Sequence, residues 1–216
     1  IIESGGQPDY VIIWFHGLGA SGHDLASLSG ELQIPGDLAI RHIFPHAPIR
    51  PVTLNNGYHM PAWYDIKGTE LLDREDEPGI LASQQYILSL IAEQQKQGVQ
   101  SKQIFLAGFS QGGAIALFTA LNYSGRLAGV IALSCYLPLA KKLIMPFALD
   151  IATPFFIAAG QHDPIVNISW SMKSKQALMQ LGFRVTWRDY PMEHSICVQE
   201  INDIGYWLTQ NCQTCK

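Results

Sequence analysis

Gly108-Phe109-Ser110-Gln111-Gly112 ends an apolar run that begins at Ile104 and opens a stretch of small and apolar residues, Gly113-Ala114-Ile115-Ala116. A serine with glycines two positions away on either side, between a strand pattern and a helix pattern, reads as a sharp strand-to-helix turn. Any Cβ at the flanking positions would collide within such a turn, which lifts the serine hydroxyl above the sheet at a helix N-terminus. The rest of the chain repeats the same unit, short apolar runs bounded by turn residues and followed by longer amphipathic stretches, the pattern of βα units around a parallel sheet. Strands are predicted over 10–15, 39–44, 103–109, 129–133, 154–159 and 184–190. Helices are predicted over 80–97, 111–121, 168–181 and 196–211, with Gly98 and Gly182 as stop signals. The segment 45–78 breaks the rhythm, being rich in Pro, Asn and Gly and then in acids, and is expected to be a long irregular stretch with a functional or mobile role. Nothing divides the chain, so residues 1–216 are expected to form a single α/β domain.

A serine hydroxyl is a weak nucleophile at neutral pH; it needs a base, and the base needs an orienting acid. Where this turn is catalytic the order along the chain is Ser, Asp, His. The strand over 154–159 runs into Gly160-Gln161-His162-Asp163-Pro164, and the strand over 184–190 into Pro191-Met192-Glu193-His194. Asp163 and His194 are thereby expected at the C-terminal edge of the sheet, where parallel-sheet sites lie, beside Ser110. His162 precedes and neighbours the acid, Glu193 neighbours the histidine, Asp189 falls inside a strand and Asp150 at the wrong end of one, so each is a weaker candidate.

The first strand ends in His16-Gly17-Leu18-Gly19. Gly17-x-Gly19-x-x-Gly22 matches a dinucleotide fingerprint, but the acid expected at the end of the second strand is missing, since that strand runs into Pro45-His46. The preferred reading is an oxyanion loop whose backbone N–H groups act with that of the residue after the serine. His16 and His23 are read as loop-bracing partners and not as metal ligands.

The chain has 216 residues, 48% hydrophobic and 15% charged, enough to bury roughly 70% of its unfolded surface. With 14 basic against 18 acidic residues and a formal charge of −4, it offers no basic face for nucleic acid. Apolar runs are too short to span a bilayer, so no membrane insertion is expected. The first residues, Ile1 to Gly6, do not read as a secretory signal, and the absence of an initial Met points to a trimmed or incomplete start. Cys135, Cys197, Cys212 and Cys215 are too few and too unevenly placed for a disulfide framework, so a reducing cytoplasm is expected. Cys212-x-x-Cys215 lacks a second ligand pair and is read as structural or incidental. The acid-rich run from Glu70 to Glu77 is read as a solvated loop, and Asp65 as structural.

Taken with these positions, the sequence resembles the acyl-protein thioesterase group, the phospholipase/carboxylesterase family of small α/β-hydrolases, over most of its length. The resemblance is carried by His16-Gly17-Leu18-Gly19 with Gly22-His23, Pro45-His46-Ala47-Pro48 with Pro51-Val52-Thr53, and Met60-Pro61-Ala62-Trp63-Tyr64-Asp65. It continues through Glu75-Asp76-Glu77 with Gly79-Ile80, Gly108-Phe109-Ser110-Gln111-Gly112-Gly113, Ala132-Leu133-Ser134-Cys135-Tyr136-Leu137-Pro138, Asp163-Pro164 and His194-Ser195. It implies an α/β-hydrolase fold with a mostly parallel central sheet flanked by helices and no large cap domain. It implies hydrolysis of carboxylic esters and thioesters of fatty acyl groups by Ser110, His194 and Asp163, with the N–H groups of Leu18 and Gln111 as oxyanion donors. It also implies an acyl groove lined by Trp63, the loop around Leu71 and Leu72, and Tyr136 with Leu137. No metal or cofactor is called for; the expected partner is an acyl ester or thioester, whether a small molecule, a lysophospholipid or an acylated protein, and a homodimer is left open. Tyr136 stands where some members carry Trp and Ala159 where many carry His, so the resemblance fixes acyl preference less than reaction class.

Overall fold

A computed structural model of the chain describes residues 1–3, 6–34, 38–69, 74–142 and 150–213. Nine strands are described: β1 (Ile2–Glu3), β2 (Tyr10–Phe15), β3 (Ile40–Ile43), β4 (Ile49–Val52), β5 (Tyr58–Pro61), β6 (Ile104–Phe109), β7 (Gly129–Leu133), β8 (Phe155–Gly160) and β9 (Val185–Tyr190). The helices are α1 (Leu28–Glu31), α2 (Glu77–Lys96), α3 (Gln111–Leu121), α4 (Ile168–Gln180) and α5 (Val198–Gln213), with short 3₁₀ turns between. Among the described residues the main sheet runs in the order β1-β3-β2-β6-β7-β8-β9. Every pairing in it is parallel except that of the β1 edge with β3.

The inner strands are buried on both faces, which is why they read as continuous apolar runs and not as alternating ones. Val11, Ile13 and Phe15 of β2 join Leu106 and Val130 in a core layer roofed by α2, α3 and α4. Ile12 and Trp14 turn to the opposite layer with Phe105, Ile131 and Phe156, beneath α5. Successive side chains of one strand thus feed two separate cores. No helix of the described residues is long and apolar enough to cross a membrane.

Beyond β2 the chain turns to β3 on one side, while β6 lies on the other. The loops leaving β2 and β6 therefore diverge, and the crevice at their carboxyl ends is the topological switch point at which open parallel sheets bind ligands. Both loops carry residues singled out by sequence, His16 to Gly19 after β2 and Ser110 after β6.

The segment expected to be irregular is built around a hairpin. β4 and β5 pair antiparallel with Ile49 opposite Pro61, and Thr53 takes its backbone N–H and its hydroxyl to the Asp65 carboxylate at 2.7 and 2.6 Å. Proline-rich, non-alternating sequence concealed the strands, since Pro51 and Pro61 suit only the edge of such a small ribbon. The acidic run is also less solvated than expected. Glu75 accepts from the Leu139 N–H at 2.7 Å, Asp76 accepts from the Asp65 N–H at 2.9 Å, and Glu77 pairs with Lys142 at 2.5 Å, so these acids tie loops together. Burial raises the Glu75 carboxyl above its usual range. Glu70, Leu71, Leu72 and Asp73 lie outside the described residues, as does Cys215. Cys212 is buried near the end of α5, where its carbonyl accepts the Tyr10 hydroxyl.

Candidate active site

The turn from β6 into α3 is as tight as its glycines require. A Cβ on Gly108 would sit 2.4 Å from the carbonyl carbon of Gly112, and one on Gly112 would sit 2.0 Å from the carbonyl oxygen of Phe15. Ser110 between them has φ 55° and ψ −121°, a strained conformation that costs about 1–3 kcal/mol and persists because its surroundings over-determine it. Its N–H is anchored on the Leu133 carbonyl at 2.8 Å, which joins the turn to the end of β7.

Asp163 and His194 arrive from the ends of β8 and β9. Ser110 Oγ lies 2.9 Å from His194 Nε2, and His194 Nδ1 lies 2.6 Å from Asp163 Oδ2. The Asp163 side chain is fully buried, and its other oxygen accepts the N–H groups of Ile165 and Val166, each at 2.8 Å, so the carboxylate is held by hydrogen bonds in place of water. The His194 ring rests on Phe109 at 4.7 Å between centroids. His162 is exposed and bonded through its backbone to Met192, Glu193 is exposed, and Asp189 is taken by Gln161 and Trp187. The three residues selected by chain order are thus together, and none of their rivals joins them.

The loop after β2 lies against this turn, with the Cβ position of Gly17 3.4 Å from that of Ser110. Gly19, with φ +74°, donates its N–H to the Pro61 carbonyl at 2.8 Å. Gly22 opens only a single 3₁₀ turn, Gly22–Leu25, and a Cβ there would meet the Phe44 carbonyl oxygen at 2.3 Å. Close packing on the end of β3 accounts for this glycine, and so short a turn offers no long helix whose N-terminus could hold a pyrophosphate. His16 braces the loop as expected. Its Nδ1–H donates to the Gly17 carbonyl at 2.7 Å, Nε2 accepts the Ala47 N–H at 3.0 Å, and burial lowers its pKa, keeping the ring neutral. Among the described residues no protein acceptor takes the Leu18 N–H, and Gln111 stands at the first position of α3, where backbone N–H groups lack helical partners. Both amides flank the approach to Ser110.

A half-open cleft of about 480 Å³ surrounds Ser110 and His194. Leu18, Leu54, Tyr64, Ile66, Tyr136 and Val166 form much of its apolar wall. Two expectations for the groove need correction. Trp63 is fully buried, with its indole N–H on the His16 carbonyl at 2.8 Å, and Leu137 is buried with its N–H on Ser174; neither lines the cleft. Trp63 serves here as the support under the His16 loop. Tyr136 does line the cleft, with its hydroxyl 3.0 Å from that of Tyr64. Burial pushes both phenols well above their usual range, so both stay uncharged.

The Gln111 side chain has a role that sequence reasoning missed. Oε1 accepts the Trp63 N–H at 2.8 Å and Nε2 donates to the Tyr64 carbonyl at 2.7 Å, stapling the segment after β5 to the start of α3. A glutamine directly after an elbow serine, beside a backbone that has no sheet partner, was the available signal. Ile165, Val166, Ser195 and Ile196 were also passed over as cleft residues, though they lie just beyond the predicted site positions Asp163 and His194. Among the described residues no group of three or more His, Cys, Asp or Glu side chains is placed to hold a metal ion.

The architecture is that of solved α/β-hydrolases. An acyl-protein thioesterase 2 from Zea mays superposes with a TM-score of 0.82 at 26% identity, covering 98% of this chain and 97% of that one. Arabidopsis thaliana SOBER1 superposes with a TM-score of 0.85 at 27% identity, over 94% of this chain and 98% of that one. By sequence, the chain is 41% identical over 209 residues to acyl-protein thioesterase 1 of Neurospora crassa, covering 92% of this chain and 85% of that protein. It is 39% identical over 210 residues to acyl-protein thioesterase 1 of Emericella nidulans, covering 91% and 88%. The description of the phospholipase/carboxylesterase family matches residues 1–212. With the sheet order, the elbow and relatives at this identity in agreement over nearly its whole length, the chain belongs to the phospholipase/carboxylesterase family.

Proposed function

We propose that residues 1–216 act as one α/β-hydrolase domain that cleaves carboxylic esters and thioesters of fatty acyl groups through a serine acyl-enzyme. The observation that carries this reading is the unbroken hydrogen-bond chain from Ser110 Oγ through His194 to the buried Asp163, opening into an apolar cleft.

In the first half-reaction His194 Nε2 takes the Ser110 proton as Oγ bonds to the acyl carbonyl carbon. The carbonyl π electrons move onto oxygen, which the Leu18 and Gln111 amides receive. The oxyanion then collapses, the bond to the leaving oxygen or sulfur breaks, and the proton on Nε2 passes to that atom. In the second half-reaction water gives a proton to Nε2 and its oxygen to the acyl carbon. The acid departs and Ser110 recovers its proton. Asp163 keeps Nδ1 as the protonated nitrogen and stabilises the imidazolium as it forms.

Acylated proteins, lysophospholipids and small acyl esters all present this chemistry, and the names of the relatives favour the first. Cys135 and Cys197 are free thiols, which suits a reducing cytoplasm as the proposed location. The test is covalent. A fluorophosphonate probe should label Ser110, and Ser110→Ala should lower kcat on p-nitrophenyl esters by roughly 10⁴ to 10⁶. A label mapped to another serine, or near-normal turnover in the variant, would overturn the assignment.

A further inference from the structure

The wall of the cleft is drawn from both core layers. Ile66, Tyr136 and Val166 belong to the layer under α2, α3 and α4, while Leu25, Phe109 and Ile196 pack into the layer on the α5 side. Ser110 lies between the two lobes. His194 rests on Phe109 and is followed by Ser195 and Ile196, so it stands with the second lobe. Because His194 Nε2 must hand its proton to the departing atom, the leaving group has to lie on that side, and the acyl chain fills the lobe of Leu54, Ile66 and Val166.

The leaving-group lobe carries a fixed charge. Asp24 lines the cleft and is the chain neighbour of Leu25, which belongs to this lobe, and among the described residues no lysine or arginine lines any part of the cleft. The carboxylate is held by the Ser21 N–H at 2.6 Å and the Ser21 hydroxyl at 3.0 Å, both on Oδ2. Those hydrogen bonds keep its pKa below the usual carboxylate range, so it is charged at every pH at which the enzyme would work. His16 and His23 are the groups whose charge acts on this carboxylate, and they offset it only when protonated.

We propose that Asp24 is a specificity-determining residue that selects leaving groups bearing positive charge within a few bonds of the scissile oxygen or sulfur and disfavours anionic ones. The inference rests on the reading of Ser110, His194 and Asp163 given above and adds the polarity of the departing half of the substrate. A half-open cleft keeps much of the solvent screening, so the effect is a matter of severalfold, not of orders of magnitude.

The test compares thioesters that differ in charge at nearly constant shape. These are butyrylthiocholine, its neutral isostere S-(3,3-dimethylbutyl) thiobutyrate, and the butyryl thioester of 2-mercaptoethanesulfonate, assayed at pH 8 and low salt. A quaternary ammonium also acidifies the thiol, so the quantity read is the kcat/KM ratio of cationic to neutral substrate in parent and in variant, in which intrinsic reactivity cancels. Asp24→Asn should lower that ratio about three- to fivefold and raise the relative rate on the sulfonate, while Asp24→Glu should keep the parental ratio. In the parent itself, 0.5 M salt should remove most of the preference, a measurement independent of how the variants fold. A ratio that is the same in parent and Asp24→Asn, or unmoved by salt, would overturn the inference and leave the triad standing. Failure of the parent to hydrolyse any of the three would overturn the triad reading, and this inference with it.

Discussion

A Cβ on Gly160 would lie 2.4 Å from the carbonyl oxygen of Glu193, so at this point the loop that carries Asp163 and the loop that carries His194 meet backbone to backbone. The His162 N–H reinforces that contact by donating to the Met192 carbonyl at 3.1 Å. Asp163 and His194 are held in register by a contact that no side chain can occupy.

Gly160→Ala should therefore part the two loops, because backbone cannot yield as the end of a flexible side chain does. A displacement of about 1 Å between reacting groups costs roughly 10²-fold in rate, so kcat on a soluble ester should fall by about that factor, with KM less affected and Tm lowered. Steady-state kinetics with a melting curve checks it; a kcat close to the parent's would show that the loops are held independently.

The Gln111 side chain offers a separate test of the framework. Gln111→Leu keeps the volume and the residue's own N–H but leaves the buried Trp63 N–H and Tyr64 carbonyl without their partners. Two orphaned backbone groups cost about 2–6 kcal/mol, so denaturant unfolding should show that loss. The fall in kcat should be far smaller than that of Ser110→Ala. Stability equal to the parent's would mean that the segment after β5 is fixed by other contacts.

What could be read from sequence and what could not divides along a physical line. The inner strands and their helices were legible because β2, β6, β7 and β8 are buried on both faces and α3 follows its strand without a loop, so composition and period report them directly. Strand ends placed Ser110, Asp163 and His194 at one edge for the same reason. The β4–β5 hairpin was hidden because only one of its strand residues, Val52, is buried and its partners are local, leaving no apolar signal. Trp63 was misassigned because an apolar residue near a site has the same sequence signature whether it faces ligand or supports the loop beneath. Only burial separates the two.

Stability should depend on pH through two buried groups of opposite sign. Glu200 is fully buried, and burial, offset only in part by the Cys197 backbone N–H, raises its pKa from 4.5 to about 8. Its folded-state pKa is above its unfolded value, so its contribution is intact below about pH 4.5 and is lost as pH rises toward 8. His42, which accepts the Trp14 indole N–H at 3.1 Å, is lowered by burial from 6.5 to about 4, so its contribution is intact above pH 6.5 and is lost as pH falls toward 4. Between those limits the two partly cancel. Glu200→Gln should gain stability over the parent progressively from about pH 4.5 to 8, reaching a few kcal/mol, and should uncover the histidine slope on the acid side. Melting temperatures of both proteins across pH 4 to 9 decide it; a constant difference would mean that Glu200 ionises normally in the fold.

The shape of the acyl lobe yields a prediction about chain length, and it separates wall from support. Leu54 is exposed at the mouth of the cleft and Val166 is buried deeper in it, whereas Trp63 lies behind the wall with no surface in the cleft. Each methylene buried against such a wall contributes at most about 0.8 kcal/mol, so lengthening an acyl chain from two carbons to six has a ceiling of roughly a hundredfold or more in kcat/KM. A half-open cleft should deliver less, about tenfold, with the gain levelling off once the chain passes the mouth. Leu54→Ser removes apolar surface at the mouth, so it should cost more on an octanoyl ester than on an acetyl ester. Trp63→Ala should behave differently, destabilising the fold by about 3–5 kcal/mol as a cavity opens under the His16 loop, and lowering kcat at every chain length alike. The measurement is kcat/KM for p-nitrophenyl esters of two to twelve carbons, kept below their aggregation limits, with unfolding curves for both variants. Should Trp63→Ala shift the chain-length optimum while Leu54→Ser leaves it in place, the assignment of wall and support would have to be exchanged.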